Sequence, residues 1–370
     1  MESEELSKSN VSKNVKNYIQ VGLGLLLFIF SIDLLTVSMG AINDTVANEI
    51  LLATRNPFIS LFIGLLVTAL IQSSSTVTAS IVAIVASGNM TLQQAVPMVL
   101  GANIGTTLTS TLVSFSFIMK KKEFRRALSA GILHDLFNIL SVIILLPLEI
   151  YFGFLSKIAI QIASFFATDD AFEGPIVYNK IFTRPITQWI TDHISIPFVT
   201  MILAVFLVFG AIKVLSSTMY KTFVLDNFNR INNLIFKKSG LSFIYGTFFT
   251  ALVQSSTVTT SLVVPLVANR KVSLAKSFPF IVGANLGTTI TAVIASVYKS
   301  EAAIALAIVH ILFNGFGALI FLPFARLRNI PVQIARFMGK SAVQNRVVGF
   351  AYILITFFIL PFLLIFFSRD

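Results

Sequence analysis

Residues 72–76 read Gln-Ser-Ser-Ser-Thr, and 182 positions later residues 254–257 read Gln-Ser-Ser-Thr. These are the most polar points of a longer correspondence. Residues 64–112 align without a gap to 246–294, and 20 of the 49 positions are identical. Pro97 matches Pro279, and Gly101-Ala102-Asn103 with Gly105-Thr106-Thr107 matches Gly283-Ala284-Asn285 with Gly287-Thr288-Thr289. After a six-residue shortening, His134-Asp135-Leu136-Phe137-Asn138 aligns with His310-Ile311-Leu312-Phe313-Asn314. A solenoid stacks three or more units, so a repeat that occurs twice is a different architecture.

Composition says what medium surrounds this repeat. Of the 370 residues 56% are hydrophobic and 12% charged, with a mean hydropathy of +0.88. A soluble domain carries roughly 25% charged residues, so this chain cannot build a water-facing surface. Multiple membrane spans follow. The net charge of +11, from 27 Lys and Arg against 16 Asp and Glu, would suggest nucleic acid in a soluble protein. Here the bases fall in short runs between apolar stretches, the pattern of cytoplasmic loops, and no nucleic-acid partner is expected. With no cysteine and three histidines, disulfides, thiolate metal sites and a transition-metal centre are not expected. Residues 1–17 are polar and no cleavage-site pattern follows them, so the first apolar segment is expected to remain as a span.

Apolar stretches at 18–40, 93–117, 127–148, 197–220, 277–298, 302–325 and 347–368 are each about 20 residues or longer, enough to cross a bilayer core. Two more, 57–88 and 240–269, are interrupted by the Gln-Ser motifs. From Pro57 to Gln72 a helix reaches only about 22 Å, short of a core of about 30 Å. Each is therefore read as two half-helices of a re-entrant hairpin, which requires protein or a water-filled cavity around it. With the N-terminus inside, 20 bases fall on the cytoplasmic side and six outside, with Lys213 within a span.

The expected fold is an all-α polytopic membrane protein. A cytoplasmic tail (1–17) precedes a first repeat (18–148), an extracytoplasmic linker (149–196), a second repeat (197–325), and a basic loop with a final helix (326–370). Three full spans per repeat is an odd number, so the second repeat should sit inverted relative to the first. Inverted repeats with broken helices at matching places are the mark of a secondary transporter.

The polar motifs carry the chemistry. At a hairpin tip the second half-helix begins with unpaired N–H groups, and these donors with the helix dipole favour an anion. Gln72, Ser73, Ser74 and Ser75 in one tip, and Ser255 and Ser256 in the other, can add donors. Hydroxyl, amide and freed carbonyl oxygens also suit a hard monovalent cation. Two glycines beside Asn103 or Asn285 suggest an unwound stretch within each of 101–107 and 283–289, presenting carbonyls and Thr hydroxyls to the tips. The alternative is a GxxxG-like helix contact, since Gly101 and Gly105 have that spacing.

Charges inside spans are few: Asp33, Asp135 and Lys213. A carboxylate there costs at least about 2.5–3.5 kcal/mol, which makes each a functional candidate. Asp135 faces Ile311 in the repeat alignment, and this asymmetry suggests an added cation site. Asp33 and Lys213 are read either as sites or as an ion pair. His134 and His310 are read as hydrogen-bonded packing residues, and Asn138 and Asn314 as helix caps or bridges. Neither tip contains Arg or Lys, so an oxyanion would need dipoles and co-bound cations to offset its charge. Cation and anion would then depend on each other in a low-dielectric site.

With these residues in view, the chain resembles the type II sodium-dependent phosphate cotransporters. The resemblance runs from residue 18 onward. It is carried by Phe28-Ile29-Phe30-Ser31-Ile32-Asp33, both QSS motifs, both GANxGTT motifs, Glu123-Phe124-Arg125-Arg126-Ala127, His134-Asp135, Leu146-Pro147-Leu148-Glu149, and His310–Asn314 with Leu322-Pro323. It implies a sodium site at Gln254, Ser255, Thr288 and Thr291, with Thr106 and Thr109 as the first-repeat counterparts of the threonines. It implies a further sodium at Asp135, with electrogenic transport. Phosphate would lie between the tips, near Ser73, Ser74, Ser255 and Ser256, with Asn103 and Asn285 as further phosphate-binding residues. Sodium is the expected coupling ion and no cofactor is expected. The implied setting is a bacterial plasma membrane, with the N-terminus cytoplasmic and a homodimer as the assembly often found in the family. In contrast to animal members, the 149–196 loop is short and free of cysteine, and the second motif reads Gln-Ser-Ser-Thr. Three other functions compete: a sodium symporter for another anion, an intramembrane hydrolase pairing Ser with His134 or His310, and a passive channel. Symmetric duplication of the serines argues against a nucleophile, which requires one specific base geometry.

Overall fold

The computed structural model describes residues 2–166, 183–194, 196–224, 235–297 and 300–367. All regular elements among the described residues are helical. Among the described residues seven helices are long and apolar enough to cross a membrane: Val15–Gly40, Leu92–Phe117, Lys121–Phe152, Pro197–Thr222, Leu274–Ser296, Glu301–Phe321 and Val347–Phe367. Each overlaps one of the stretches read from the sequence. Leu23, Leu26, Phe206, Phe362 and Phe366 project outward from them, where lipid rather than water is the compatible solvent.

The polar residues and the first span share one helix, Glu2–Gly40, of which Val15–Gly40 is the apolar part. The linker read at 149–196 contains the helices Phe154–Phe166 and Arg184–His193; residues 167–182 and 195 lie outside the described ones. Glu149 anchors its start. The chain reverses at Gly153 (φ 60°), and the Glu149 carboxylate accepts from Leu155 N at 2.7 Å, Ser156 N at 3.2 Å and the Ser156 hydroxyl. A short helix not read from the sequence, Asp44–Ala53, meets Pro57–Ile71 at a 99° bend. Asn56 makes that bend by capping the second helix, its Oδ1 accepting from Phe58 N at 2.9 Å, with Pro57 at the first helical position.

Both interrupted segments break where the sequence placed the interruption. Pro57–Ile71 gives way to Ser74–Ala86, and Ser239–Val253 to Ser256–Ser261 and then Val263–Ala268. Pro57–Ile71 lies along Leu92–Gly105, and Ser239–Val253 along Leu274–Thr288. Glycine sets these two contacts. A Cβ on Gly101 would stand 1.8 Å from Leu61 O, and on Gly64 1.9 Å from Met98 O. In the second repeat the corresponding approaches are 2.1 Å for Gly283 to Phe243 O and 2.2 Å for Gly246 to Phe280 O.

The helix interruptions expected within 101–107 and 283–289 are present, but at the ends of those stretches rather than at the glycines. Gly101 to Gly105 and Gly283 to Gly287 are helical, and the interruptions fall after them, at Thr106-Thr107 and at Thr289. The glycines serve close packing instead, because backbones in a membrane associate through van der Waals contact and small residues permit it.

The halves also exchange contacts. Ser74–Ala86 packs on Ile290–Ser296 of the second repeat, and Ser256–Ser261 packs on Leu108–Ser114 of the first. This exchange brings the two polar breaks to one place.

Candidate functional site

Each Gln-Ser break is a helix stop and a helix start compressed into two residues. Gln72 closes its helix in the left-handed region (φ 58°, ψ 30°), and Gln254 does so at φ 56°, ψ 24°. That conformation costs a side-chain-bearing residue roughly 1–2 kcal/mol, and glycine is its usual occupant. Ser73 and Ser255 then turn to φ −145° and cap the next helix, their Oγ atoms accepting from Thr76 N and Val258 N, each at 3.3 Å. A glutamine in an unfavourable backbone state at both repeat-related positions points to a use for its amide.

The breaks touch. Ser75 Oγ donates to the Gln254 carbonyl at 2.7 Å, and Thr291 Oγ1 donates to Ser75 Oγ at 3.4 Å. The Ser110 and Thr260 hydroxyls lie 2.9 Å apart across the same interface. Beside this junction is a cavity of about 420 Å³ whose wall includes Gln72, Ser73, Ser255, Thr257, Lys213 and Tyr220. Ser74, Ser75 and Ser256 are buried behind the wall.

Several buried oxygens at and near the breaks make no hydrogen bond: Gln254 Oε1, Thr106 Oγ1, Thr109 Oγ1 and Asp135 Oδ1. A buried polar atom without a partner costs about 1–3 kcal/mol, so unmatched acceptors of this kind suit a cation. Thr288 Oγ1 donates to Ala284 O at 2.9 Å, which leaves its lone pairs outward. Asp135 is fully buried, and its Oδ2 accepts from Tyr352 and Thr111, both at 2.9 Å.

The asparagines read as phosphate donors occupy a different setting. Asn103 and Asn285 are outside the cavity wall, and each gives its amide oxygen to the histidine of the other repeat. His310 Nε2 lies 3.1 Å from Asn103 Oδ1, and His134 Nε2 lies 2.6 Å from Asn285 Oδ1. Asn138 bridges the pair, donating to Asn103 O at 3.0 Å and accepting from Asn285 Nδ2 at 2.6 Å. Asn314 turns back on its own helix to His310 O, at 2.9 Å.

Of the two readings of Asp33 and Lys213, the ion pair is not formed. Asp33 does not pair with Lys213: its Oδ1 is 3.2 Å from Arg184 Nη2, and its Oδ2 accepts from Thr183 and Thr187 at 3.0 Å each. A fully buried carboxylate needs several donors, and the helix Arg184–His193, laid against Glu2–Gly40, supplies two of them, with Thr183 just before it the third. Lys213 instead stands exposed at the cavity, its Nζ 6.0 Å from the Phe209 ring centre. The absence of a base from both motifs is true of their sequence, but a base comes to the site from another helix. Arg184 and Tyr352 are not marked as partners by anything in their local sequence, and Lys213, which stands out as a charge within a span, is not marked as facing this cavity.

The match to known proteins follows this geometry. Residues 27–156 and 205–360 match the family described as Na+/Pi-cotransporter. The chain belongs to that family. The Na+/Pi-cotransporters are transporters and not enzymes, so the hydrolase reading falls. The matched residues include both breaks, Asp33, Asp135, Lys213 and both histidine–asparagine pairs. The chain is 28% identical over 417 residues to sodium-dependent phosphate transport protein 2A of Rattus norvegicus. It is 27% identical over 439 residues to sodium-dependent phosphate transport protein 2B of Homo sapiens. Each alignment covers 91% of this chain, and 65% and 63% of the respective relatives, so the chain spans about two thirds of their length or slightly less. No solved structure matches it.

Proposed function

We propose that this member of the Na+/Pi-cotransporter family is a sodium-coupled symporter that imports inorganic phosphate by alternating access, and that it does so electrogenically. The observation that carries the reading is the contact of the two Gln-Ser breaks, Ser75 Oγ to Gln254 O at 2.7 Å, at the edge of a cavity that sets Gln72, Ser73, Ser255, Thr257 and Lys213 among apolar side chains. Phosphate is assigned to that cavity, where Ser73, Ser255 and Thr257 offer hydroxyls and the helix starting at Ser74 directs N–H groups. Lys213 adds one positive charge at the wall. Sodium is assigned to the unmatched oxygens of Gln254, Thr106, Thr109 and Asp135, with Ser255, Thr288 and Thr291 completing the second-repeat site.

Coupling follows from charge. A phosphate dianion beside one lysine remains undercompensated in low dielectric, and cations gathered on one carboxylate, Asp135, and otherwise neutral oxygens repel one another without the anion. Each ligand therefore lowers the cost of binding the other. The two repeats are assigned inverted orientations, with residues 1–17 cytoplasmic and the membrane that of a bacterial cell, so that exchange of contacts between halves would open the junction to either side in turn.

The test is phosphate uptake into proteoliposomes under an inward sodium gradient, with the membrane potential clamped at two values. Uptake that requires sodium and rises with an inside-negative potential is expected. Sodium dependence without voltage dependence would keep symport and remove the charge-carrying role of Asp135. Sodium-independent uptake would overturn coupling altogether, and competition by sulfate as strong as by arsenate would overturn the substrate. Lys213→Gln should raise the KM for phosphate by about tenfold with little change in kcat, the effect of removing a focusing charge.

A further inference from the structure

A second cavity, of about 500 Å³, lies apart from the transport site, and its wall gathers Arg125, Arg126, Arg270, Arg336 and Lys340 with Ser129 and Ser273. These bases come from three separate sequence runs, and among the described residues no carboxylate lines the space. Five positive charges around one cavity repel one another unless an anion offsets them.

The arrangement is held by packing. A Cβ on Gly339 would meet Ser129 Oγ at 2.2 Å and Arg125 O at 2.5 Å, so this glycine lets the helix Ala325–Gln344 press onto Lys121–Phe152. That contact sets Arg336 and Lys340 opposite Arg125 and Arg126. Arg126 Nε donates to Ala268 O at 2.7 Å, which ties the turn at 269–273 to the same wall.

Arg270 gives the clearest indication. It is left-handed (φ 62°), a state unfavourable for any side-chain-bearing residue. The repeat alignment sets it against Gly88, also left-handed (φ 85°) and the ordinary choice for such a turn. Around Gly88 the turn Ser87-Gly88-Asn89 carries no charge. One repeat thus uses glycine, and the other tolerates backbone strain to hold a guanidinium over a basic cavity. Strain of this kind points to a function for the side chain.

We infer that this cavity binds a phosphate-bearing anion at a site separate from the transported substrate, with Arg125, Arg270 and Arg336 as its ligands. Guanidinium forks match phosphate oxygens in pairs, and both free phosphate and a phospholipid headgroup present them. Arg126 holds the turn, and Lys340 adds charge.

The experiment uses the full chain in detergent, in sodium-free buffer at fixed ionic strength. Equilibrium binding is measured for radiolabelled inorganic phosphate and for a fluorescent short-chain phosphatidylglycerol. Arg270→Gly is the decisive variant, because it keeps the turn, relieves the strain and removes the guanidinium. It should melt no lower than the parent chain and lose affinity by about tenfold, the scale of one charge-assisted contact. Arg125→Gln and Arg336→Gln, both on exposed side chains, should weaken binding similarly. Saturable phosphate binding lost in these variants assigns the free anion, and lipid binding lost in them assigns the headgroup. Neither probe binding, or both binding equally well to Arg270→Gly, overturns the site. Sodium-driven uptake by the parent chain is scored separately, so failure here leaves the transport reading untouched.

Discussion

A glutamine in the left-handed region is an unfavourable way to end a helix, and this chain does it twice. Gln254→Gly should relieve that strain while removing an amide oxygen that is buried without a partner. We expect a melting temperature equal to or above that of the parent chain, together with loss of sodium-dependent uptake. Retained uptake would show that only the backbone turn matters. Asp135→Asn asks a different question. The amide can still accept from Tyr352 and Thr111, so the fold should hold, but the negative charge is gone. Sodium-driven uptake should lose its dependence on membrane potential, read in voltage-clamped proteoliposomes, and an unchanged voltage response would exclude Asp135 as a charge carrier. The motif glutamines and Asp135 were legible in the sequence because polar groups in apolar spans stand out. Lys213 was visible too, but its role was not, because a residue's place on its helix does not reveal which cavity it faces.

At the scale of elements, glycine does the opposite of what its helix propensity suggests. Gly101 and Gly283 lie within helices and allow a neighbouring backbone within about van der Waals distance. Gly101→Ala would force a methyl to 1.8 Å from Leu61 O, and the helices Pro57–Ile71 and Leu92–Gly105 must separate. The expected loss is about 1–3 kcal/mol, the scale of an overpacked core, seen as a lower melting temperature in detergent. Gly210→Ala, with nothing within 4 Å of its Cβ, is the control and should melt as the parent does or slightly higher. Equal effects at the two positions would remove the packing argument. The Gly-Ala-Asn-x-Gly stretch is compatible both with a close helix contact and with unwinding. Local sequence could not decide between them, since the deciding atom, a carbonyl on another helix, is 40 residues away in the chain.

For the molecule as a whole, the crossed histidine–asparagine pairs are a buried polar link between halves. His134 reaches Asn285, His310 reaches Asn103, and Asn138 joins the two pairs. Asn285→Leu would orphan His134 Nε2 and Asn138 Oδ1 in a dry interior, at about 1–3 kcal/mol for each buried group. We expect a fall in melting temperature clearly larger than for an Asn314→Leu variant, whose lost bond is to its own helix. Because the link spans the repeats, residual uptake by Asn285→Leu should also be slower at saturating substrate. Equal melting of the two variants would argue that the link contributes nothing beyond local packing.

The sequence by itself determined the medium, the seven spans, the two breaks and the duplication that relates them, because each depends on composition or on residues close together in the chain. Membrane burial, helix length and a polar interruption in an apolar run are local properties. Tertiary structure alone decided the partners: Arg184 rather than Lys213 for Asp33, Tyr352 for Asp135, each histidine with the asparagine of the other repeat, and five bases from two helices and a turn around one cavity. Those choices depend on how each helix is rotated about its axis and which neighbour it packs against. That rotation is set by close contacts such as those at Gly101 and Gly339, which hydrophobic periodicity does not encode when a helix is apolar on every side.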